Sequence, residues 1–169
     1  DLYLTNCPLL TTLDLSGSNF SSLNGIENCS KMLSINVENT GIKALHIADG
    51  CPINTLKTAA PKELYLSNLE NLIFEDKDSD TLTAQQWTSL NKLLLNNCSK
   101  INWKKLLNKF LASSATIKYL RITGIDEQNN ITWLDQFTNV YGLDENGLEV
   151  TTGAQLVGTL LLLDYTDDK

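Results

Sequence analysis

Several features that mark common protein functions are scarce or missing in this chain of 169 residues. Acidic residues exceed basic ones by seven, so the basic patch of a nucleic-acid-binding protein is missing and we expect no nucleic-acid partner. The longest apolar run, Leu160 to Leu163, is far too short to cross a bilayer, so we expect no membrane insertion. A phosphate-binding glycine motif and a CxxC pair are both missing, and we predict no cofactor and no metal.

The length is that of one domain and is sufficient to bury a core without disulfides or metal. The sequence opens at Asp1, inside what reads as a repeat, and we expect it to be a piece of a longer protein. What the chain does contain is this internal repeat, which is the strongest pattern in it.

The repeated unit is an apolar residue, two variable residues, an apolar–x–apolar triplet and then Asn, Asp or Gly. Alternating apolar residues predict a short strand that buries one face, and the polar residue after it is typical of a turn. Stacked units of this kind predict a solenoid, with Asn6, Asn39, Asn68 and Asn97 as a ladder at the bends. The copies are "LTTLDLSG" from Leu10, "MLSINVEN" from Met32, "IKALHIAD" from Ile42, "PKELYLSN" from Pro61, "LENLIFED" from Leu69, "LNKLLLNN" from Leu90, "IKYLRITG" from Ile117 and "VGTLLLLD" from Val157.

The spacing of the units predicts two faces. Steps of 22, 21 and 27 residues suit parallel neighbours in one sheet, whereas steps of 8 to 11 are too short for the crossover that parallel strands require. Consecutive units at short steps should therefore alternate between faces. The main sheet would begin its strands at Leu13, Ile35, Leu56, Leu72, Leu93 and Leu120, and the opposite face at Leu2, Leu23, Leu45 and Leu64.

Short helices are predicted mainly in the C-terminal half. Thr83 would cap a helix that carries Trp87 and Leu90, and a second helix would place Trp103, Leu106, Leu107, Phe110 and Leu111 on one stripe. A third would carry Trp133, Leu134, Phe137 and Tyr141. The predicted fold class is an α/β solenoid of short parallel strands over residues 1–125, followed at 126–169 by a helix–turn–strand cap or the start of a further module, cut short.

The segment "LTTLDLSGSNFSSLNGIENCSKMLSINVENTGI" resembles the leucine-rich repeats of bacterial surface proteins. "GCPINTLKTAAPKELYLSNLENLIFED" is similar to the irregular leucine-rich repeats of tail- or baseplate-associated proteins from phages and prophages of gut bacteria, and "FTNVYGLDENGLEVTTGAQLVGTLLL" to the segment that follows them. The resemblance implies a leucine-rich-repeat fold and an extracellular place, on a virion or a bacterial cell surface. Thr58 and Ala60 depart from the pattern, which predicts a local irregularity.

Three cysteines recur at intervals of 22 residues, at Cys7, Cys29 and Cys51. Stacking at that interval would place their Cα atoms roughly 5 Å apart. Small buried thiols in a ladder are the preferred interpretation, and a disulfide or a zinc site are the alternatives. Cys98 shares the local "NCSK" context but lies out of phase.

Candidate reactive groups are few. His46 is the one histidine, and since Leu45 and Ile47 point inward its ring should face solvent, with no triad partner placed by the sequence. Asp76, Asp78 and Asp80 alternate like the start of a calcium loop, but Thr81 and Trp87 stand where that loop needs Gly and Glu. A solvated acidic loop is the preferred interpretation, with bound calcium as the alternative.

The outward side chains of the strands form the one surface suited to recognition, because aromatic and Arg side chains on a rigid sheet favour binding. We predict a non-catalytic recognition or spacer module that binds protein or a surface glycan. The alternatives are a structural element of a virion that packs against sibling subunits, and an enzyme acting on polysaccharide. The candidate binding residues are Tyr3, Asp14, Asn36, His46, Tyr65 and Arg121.

Overall fold

The computed structural model describes residues 1–84, 87–112, 117–124 and 141–148, and the account below concerns these residues. They form short strands, one α helix (α1) and two 3-10 turns at Ile26–Asn28 and Trp87–Ser89. The strands are β1 (Leu2–Tyr3), β2 (Thr12–Asp14), β3 (Leu23–Asn24), β4 (Ser34–Asn36), β5 (Ala44–His46), β6 (Thr55–Thr58), β7 (Glu63–Ser67), β8 (Leu82–Ala84), β9 (Lys92–Asn96), β10 (Tyr119–Thr123) and β11 (Tyr141–Gly142), and α1 spans Trp103–Ala112.

The strands pair in parallel throughout, so the architecture is of the α/β type with few helices, as the repeat predicted. One sheet has the order β2-β4-β6-β8, a second has the order β11-β10-β9-β7-β5, and β1 pairs with β3. From β1 to β9, every second strand along the chain belongs to the four-stranded sheet. This alternation agrees with the prediction that short steps change face.

The predicted allocation of strands is confirmed in part. Leu13, Ile35 and Leu56 are direct cross-strand partners, as are Leu45 and Leu64. Placing Leu93 and Leu120 with the first group was wrong, because they continue the row of Leu45 and Leu64 in the five-stranded sheet.

The error arises at Leu72, which lies outside the strands and is fully buried. Leu82 takes the place in the four-stranded sheet that was predicted for Leu72, and it pairs with Leu56. The helix predicted after Thr83 is likewise wrong, because Leu82–Ala84 is strand β8 and only a 3-10 turn follows at Trp87–Ser89. Leu82 between two β-branched threonines has the alternation and residue types that favour a strand.

One core cluster joins the inward side chains of both larger sheets with buried side chains of the connecting segments and of α1. Ile35, Leu56, Leu64, Leu82 and Leu93 have no exposed surface. Burying an aliphatic side chain of this size stabilises a fold by about 1.5–3 kcal/mol. These rows are therefore the main source of stability.

Helix α1 forms where the apolar stripe predicted it. The side-chain oxygen of Asn102 accepts a hydrogen bond from the Lys105 amide at 3.1 Å, which caps the first turn. Leu106 and Leu107 are fully buried, and Trp103 packs against the core. The helix predicted around Trp133 and most of the predicted unit 126–169 lie outside the described residues. The prediction was wrong for Tyr141, which begins strand β11.

The turns after the strands use residues that tolerate a left-handed backbone. Asn39, Asn68 and Asn97 have φ values of 55°, 56° and 51°, and Gly124 has 73°. Asn97 Nδ2 donates to Asn68 Oδ1 at 3.3 Å, and Asn68 Nδ2 donates to Asp49 Oδ1 at 2.7 Å. The single ladder predicted from four asparagines is therefore wrong, because Asn39 lies in the turn after β4 of the other sheet and Asn6 follows β1.

The cysteines carry free thiols, in agreement with the packing interpretation. Cys29 and Cys51 are buried and Cys7 is half-buried. Burial raises the pKa of the Cys29 and Cys51 thiols, and it raises that of Cys98 to about 11. Electrostatic interactions with Cys7, Glu27 and Cys51 raise the pKa of the Cys29 thiol further.

Thr58, one of the two departures from the repeat, is the buried polar residue of the core. Its hydroxyl donates to the Thr83 carbonyl at 3.2 Å, which satisfies it without water. In the described part of the chain, no helix has both the length and the apolar character needed to cross a membrane.

Candidate binding groove

Four strands of the five-stranded sheet bring their outward side chains together. Because β5, β7, β9 and β10 pair in register, His46, Tyr65, Leu94 and Arg121 form one row across the sheet. Their inward neighbours are core leucines and isoleucines, so the alternation of the strand forces this row outward. Three of the predicted binding residues, His46, Tyr65 and Arg121, are thus placed on one surface.

His46 and Tyr65 form a close aromatic pair. Their ring centroids are 3.9 Å apart and their planes differ by 4°, so the rings are stacked. His46 Nε2 lies 3.1 Å from Glu63 Oε2, and Glu63 Oε1 lies 3.8 Å from Lys92 Nζ. These contacts fix the orientation of the imidazole at the edge of the sheet.

A tight turn at residues 144–148 lies over the same surface. Tyr65 Oη donates to the Gly147 carbonyl at 2.8 Å, and Arg121 Nη1 donates to the Leu143 carbonyl at 3.4 Å. The Asp144 carboxylate accepts the amides of residues 146 and 148, both at 2.9 Å, which closes the turn. Leu94 points outward from the same sheet yet is only 3% exposed.

The turn and the sheet enclose a groove of about 720 Å³, within the ~300–1,000 Å³ that small-molecule sites occupy. Its floor holds two rows of polar side chains at the ends of the strands. In the first row, Asn96 Nδ2 donates to Ser67 Oγ and Thr123 Oγ1 donates to Asn96 Oδ1, both at 3.2 Å. The second row is the chain of bonds from Asn97 through Asn68 to Asp49.

The other predicted residues lie elsewhere. Tyr3 is on β1 with 64% of its surface exposed. Asp14 and Asn36 are cross-strand neighbours on the four-stranded sheet. The hydroxyl and amide of Ser16 donate to Asp14, which lowers the pKa of that carboxyl. Tyr3, Asp14 and Asn36 therefore do not share a site with His46.

The sequence predicts a turn in "GLDENG" (residues 142–147), but sequence reasoning missed the polar floor and the packing of that turn on Tyr65. Ser67, Asn96 and Thr123 could have been found, since they occupy the same outward position of three successive units of one sheet. Glu145 and Asn146 line the groove from the turn, and nothing in the local sequence indicates that this turn folds back on Tyr65.

The acidic loop forms hydrogen bonds and an ion pair with the protein. The Asp80 carboxylate accepts the amides of Glu75 at 2.6 Å and Lys77 at 3.1 Å, and Asp76 pairs with Lys109 at 2.7 Å. Across the described ranges, no cluster of three or more His, Cys, Asp or Glu side chains could hold a metal ion.

Comparison with known proteins gives no further guide. The chain matches no protein-family model, no curated protein and no solved structure. Function is therefore inferred from the groove itself.

Proposed function

We propose that this chain is a non-catalytic recognition module that binds protein or glycan in the groove beside His46, Tyr65 and Arg121. The observation that carries the proposal is the groove itself, in which aromatic, cationic and amide side chains converge on about 720 Å³ of space. A concave site with a few convergent polar groups is the usual form of a binding site. The floor belongs to a hydrogen-bonded sheet, so it is already ordered before a ligand arrives.

We propose further that the parallel strands form a leucine-rich-repeat solenoid and that the chain belongs to a larger surface or virion protein, exposed outside the cell. Support comes from the eight copies of the repeat and from the alternation of successive strands between sheets. The resemblance to irregular repeats of phage tail and bacterial surface proteins favours the same place.

Binding is favoured over catalysis by the partners of the groove's side chains. His46 Nε2 contacts Glu63 and its ring stacks on Tyr65, whereas Ser67 Oγ accepts from Asn96, so these contacts do not pair the hydroxyl with the imidazole as nucleophile and base. A hydrolase would instead need a nucleophile, a base and oxyanion donors around one point. Release of reducing sugar or cleaved peptide by the purified chain would contradict this part of the proposal.

A matched pair of substitutions tests the groove. Ser67 and Ser34 are both half-buried serines at outward positions of parallel strands, but Ser34 lies on the four-stranded sheet. Ser67→Tyr would fill the groove, and we expect it to abolish binding of the labelled chain to intact bacterial cells and to a glycan array. Ser34→Tyr should bind like the parent. Equal binding by both variants, or loss confined to Ser34→Tyr, would place recognition elsewhere.

A second proposal is that the chain packs against sibling subunits through its N-terminal edge. Leu9 is 79% exposed and Tyr3 is 64% exposed, close to strands β1 and β2, each of which pairs on one side among the described residues. Large exposed apolar side chains beside an open sheet edge favour association. Assembly of the purified chain that increases with concentration, and that Leu9→Glu prevents, would support this second proposal. A chain that stays monomeric at all concentrations would contradict it.

A further inference from the structure

The floor of the groove repeats the same chemistry from strand to strand. The first polar row contains Ser67, Asn96 and Thr123, and the second contains Asp49, Asn68 and Asn97. Because the strands are parallel and in register, each row presents one polar group every ~4.8 Å. A ligand that lies across the strands would therefore meet regularly spaced hydrogen-bonding groups.

The second row has donors to spare. A primary amide carries two N–H donors and an oxygen with two lone pairs. Asn68 and Asn97 each donate one N–H along the row, to Asp49 and to Asn68, and both residues are exposed. Each amide therefore keeps a second N–H for a ligand, while the bonds within the row hold it in position.

The charges around the groove disfavour an acidic ligand. Glu27, Asp49 and Glu145 line the groove together with Arg121. The Arg121 guanidinium already donates to the Leu143 carbonyl, and the whole chain carries a net charge of −7. An anion would meet an unfavourable potential both at long range and at the site.

An aromatic surface borders the polar rows. One face of the His46 ring lies on Tyr65, yet 41% of the His46 side chain is exposed. The exposed part is therefore the opposite face and the edge of the imidazole. A flat ring beside amides suits a ligand that offers C–H groups on one side and hydroxyls at its rim.

The repeat distance separates a sugar chain from a peptide. Side chains on one face of an extended peptide recur every ~6.6 Å, out of step with neighbouring strands at ~4.8 Å. In an extended sugar chain, each pyranose ring carries hydroxyls on both rims. These hydrogen-bonding groups therefore recur once per ring, at a distance close to the strand spacing. We infer that the groove binds a neutral oligosaccharide that lies across β5, β7, β9 and β10 with its hydroxyls on the two polar rows, an inference that rests on the groove being the recognition surface.

Glycine substitutions test the second row without straining the backbone. Asn68 and Asn97 have positive φ, which glycine adopts freely, so Asn68→Gly and Asn97→Gly remove the amides and keep the turns. Asn39→Gly is the matched control, since Asn39 has the same backbone conformation but lies in the turn after β4 of the other sheet. Calorimetry would titrate each chain with neutral cello-, chito- and mannohexaose and with acidic oligogalacturonate of the same length.

We expect the parent chain and Asn39→Gly to bind one of the neutral hexaoses equally. Asn68→Gly and Asn97→Gly should each bind it about tenfold more weakly or not at all, as the loss of one hydrogen bond at a site requires. Oligogalacturonate should not bind. Equal binding by all four chains, or equal loss in Asn39→Gly, would overturn the inference.

Other outcomes separate this inference from the proposed function. Binding of oligogalacturonate alone, or of protein alone, that Ser67→Tyr blocks would overturn the neutral glycan and leave the groove as the recognition surface. Binding of a neutral hexaose that Ser67→Tyr leaves unchanged would overturn both.

Discussion

The imidazole of His46 lies flat on the phenol ring of Tyr65, at 3.9 Å between centroids, while the Tyr65 hydroxyl reaches the carbonyl of Gly147. Those two contacts connect strand β5, strand β7 and a turn that is 82 residues further along the chain than Tyr65. Tyr65 is therefore the side chain that joins the floor of the groove to its wall. Substitutions around it should affect stability and groove shape together.

Removing the Tyr65 hydroxyl should cost a measurable part of the stability. In Tyr65→Phe the ring can still stack on His46, but the buried Gly147 carbonyl loses its donor. We expect the free energy of unfolding to fall by about 1 kcal/mol, measured by urea denaturation. Tyr3→Phe, at a ring that is 64% exposed, is the control and should leave stability unchanged. Equal values for the two variants would show that the bond to Gly147 contributes nothing.

Gly147→Ala should disturb the groove more than another glycine with the same backbone. A Cβ at Gly147 would lie 2.2 Å from Tyr65 Cε2, whereas one at Gly17 would meet nothing within 4 Å. Both have positive φ, at 80° and 74°, so each alanine variant loses about 1–2 kcal/mol to backbone strain. Gly147→Ala should lose roughly 1–3 kcal/mol more from overpacking and should shift the Tyr65 ring signals in NMR spectra. If Gly17→Ala is the more destabilised variant, the turn does not pack on Tyr65.

Stability should fall with rising pH through the titration of Cys98. Burial raises the pKa of its thiol to about 11 from an ordinary value of 9.0. Between these values the unfolded chain releases a proton that the folded chain retains, so the unfolded state is favoured increasingly as pH rises. The loss is on the order of 2 kcal/mol between pH 9 and 11, and the effect vanishes as the pH falls more than about one unit below the unfolded pKa of 9.0.

Cys98→Ala isolates this contribution from lysines and tyrosines that titrate in the same range. The slope of unfolding free energy against pH, measured from pH 8 to 11, should be smaller in Cys98→Ala than in the parent. Equal slopes in Cys98→Ala and the parent would mean that the Cys98 thiol has the same pKa in the folded and unfolded states. Thiol labelling at pH 8 gives a second measure, since half-buried Cys7 should react long before Cys98.

The acidic loop should depend on Asp80 and not on calcium. The Asp80 carboxylate accepts two backbone amides, while Asp78 is exposed. Asp80→Asn should lower the free energy of unfolding by about 1–2 kcal/mol because a charged acceptor is replaced by an amide, and Asp78→Asn should be neutral. Millimolar calcium should leave the melting temperature of the parent unchanged. A rise in melting temperature that Asp78→Asn abolishes would restore the calcium-loop interpretation.

The strand repeat was predictable because each unit carries its own alternation of apolar and polar residues. Leu13, Ile35 and Leu56 could be paired from their spacing, and α1 could be placed from its apolar stripe. Leu82 could not, since an irregular loop shifts its spacing and its neighbourhood also fits a helix start. The spacing of the repeat units gives only the number of residues between two strands. The sheet that a strand joins depends also on whether another strand of the chain comes between them.

The candidate site was predictable to a lesser degree. Outward positions such as His46 and Tyr65 follow from strand alternation alone. The groove also needs the turn at residues 144–148, which is fixed by the hydrogen bonds of Tyr65 and Arg121 over long sequence distances. Such contacts leave no local pattern, so the enclosure of the site had no sequence signal.

Because successive strands alternate between sheets, the connections between neighbouring strands of one sheet can differ in length. Strands β9 and β10 stay in full register although α1 is inserted between them, and β7 and β9 do so across β8 and the acidic loop. A segment inserted at the exposed residues 76–79 of the acidic loop would therefore extend into solvent without moving the polar rows. The chain is in this respect a scaffold into which foreign loops could be grafted beside an unchanged groove.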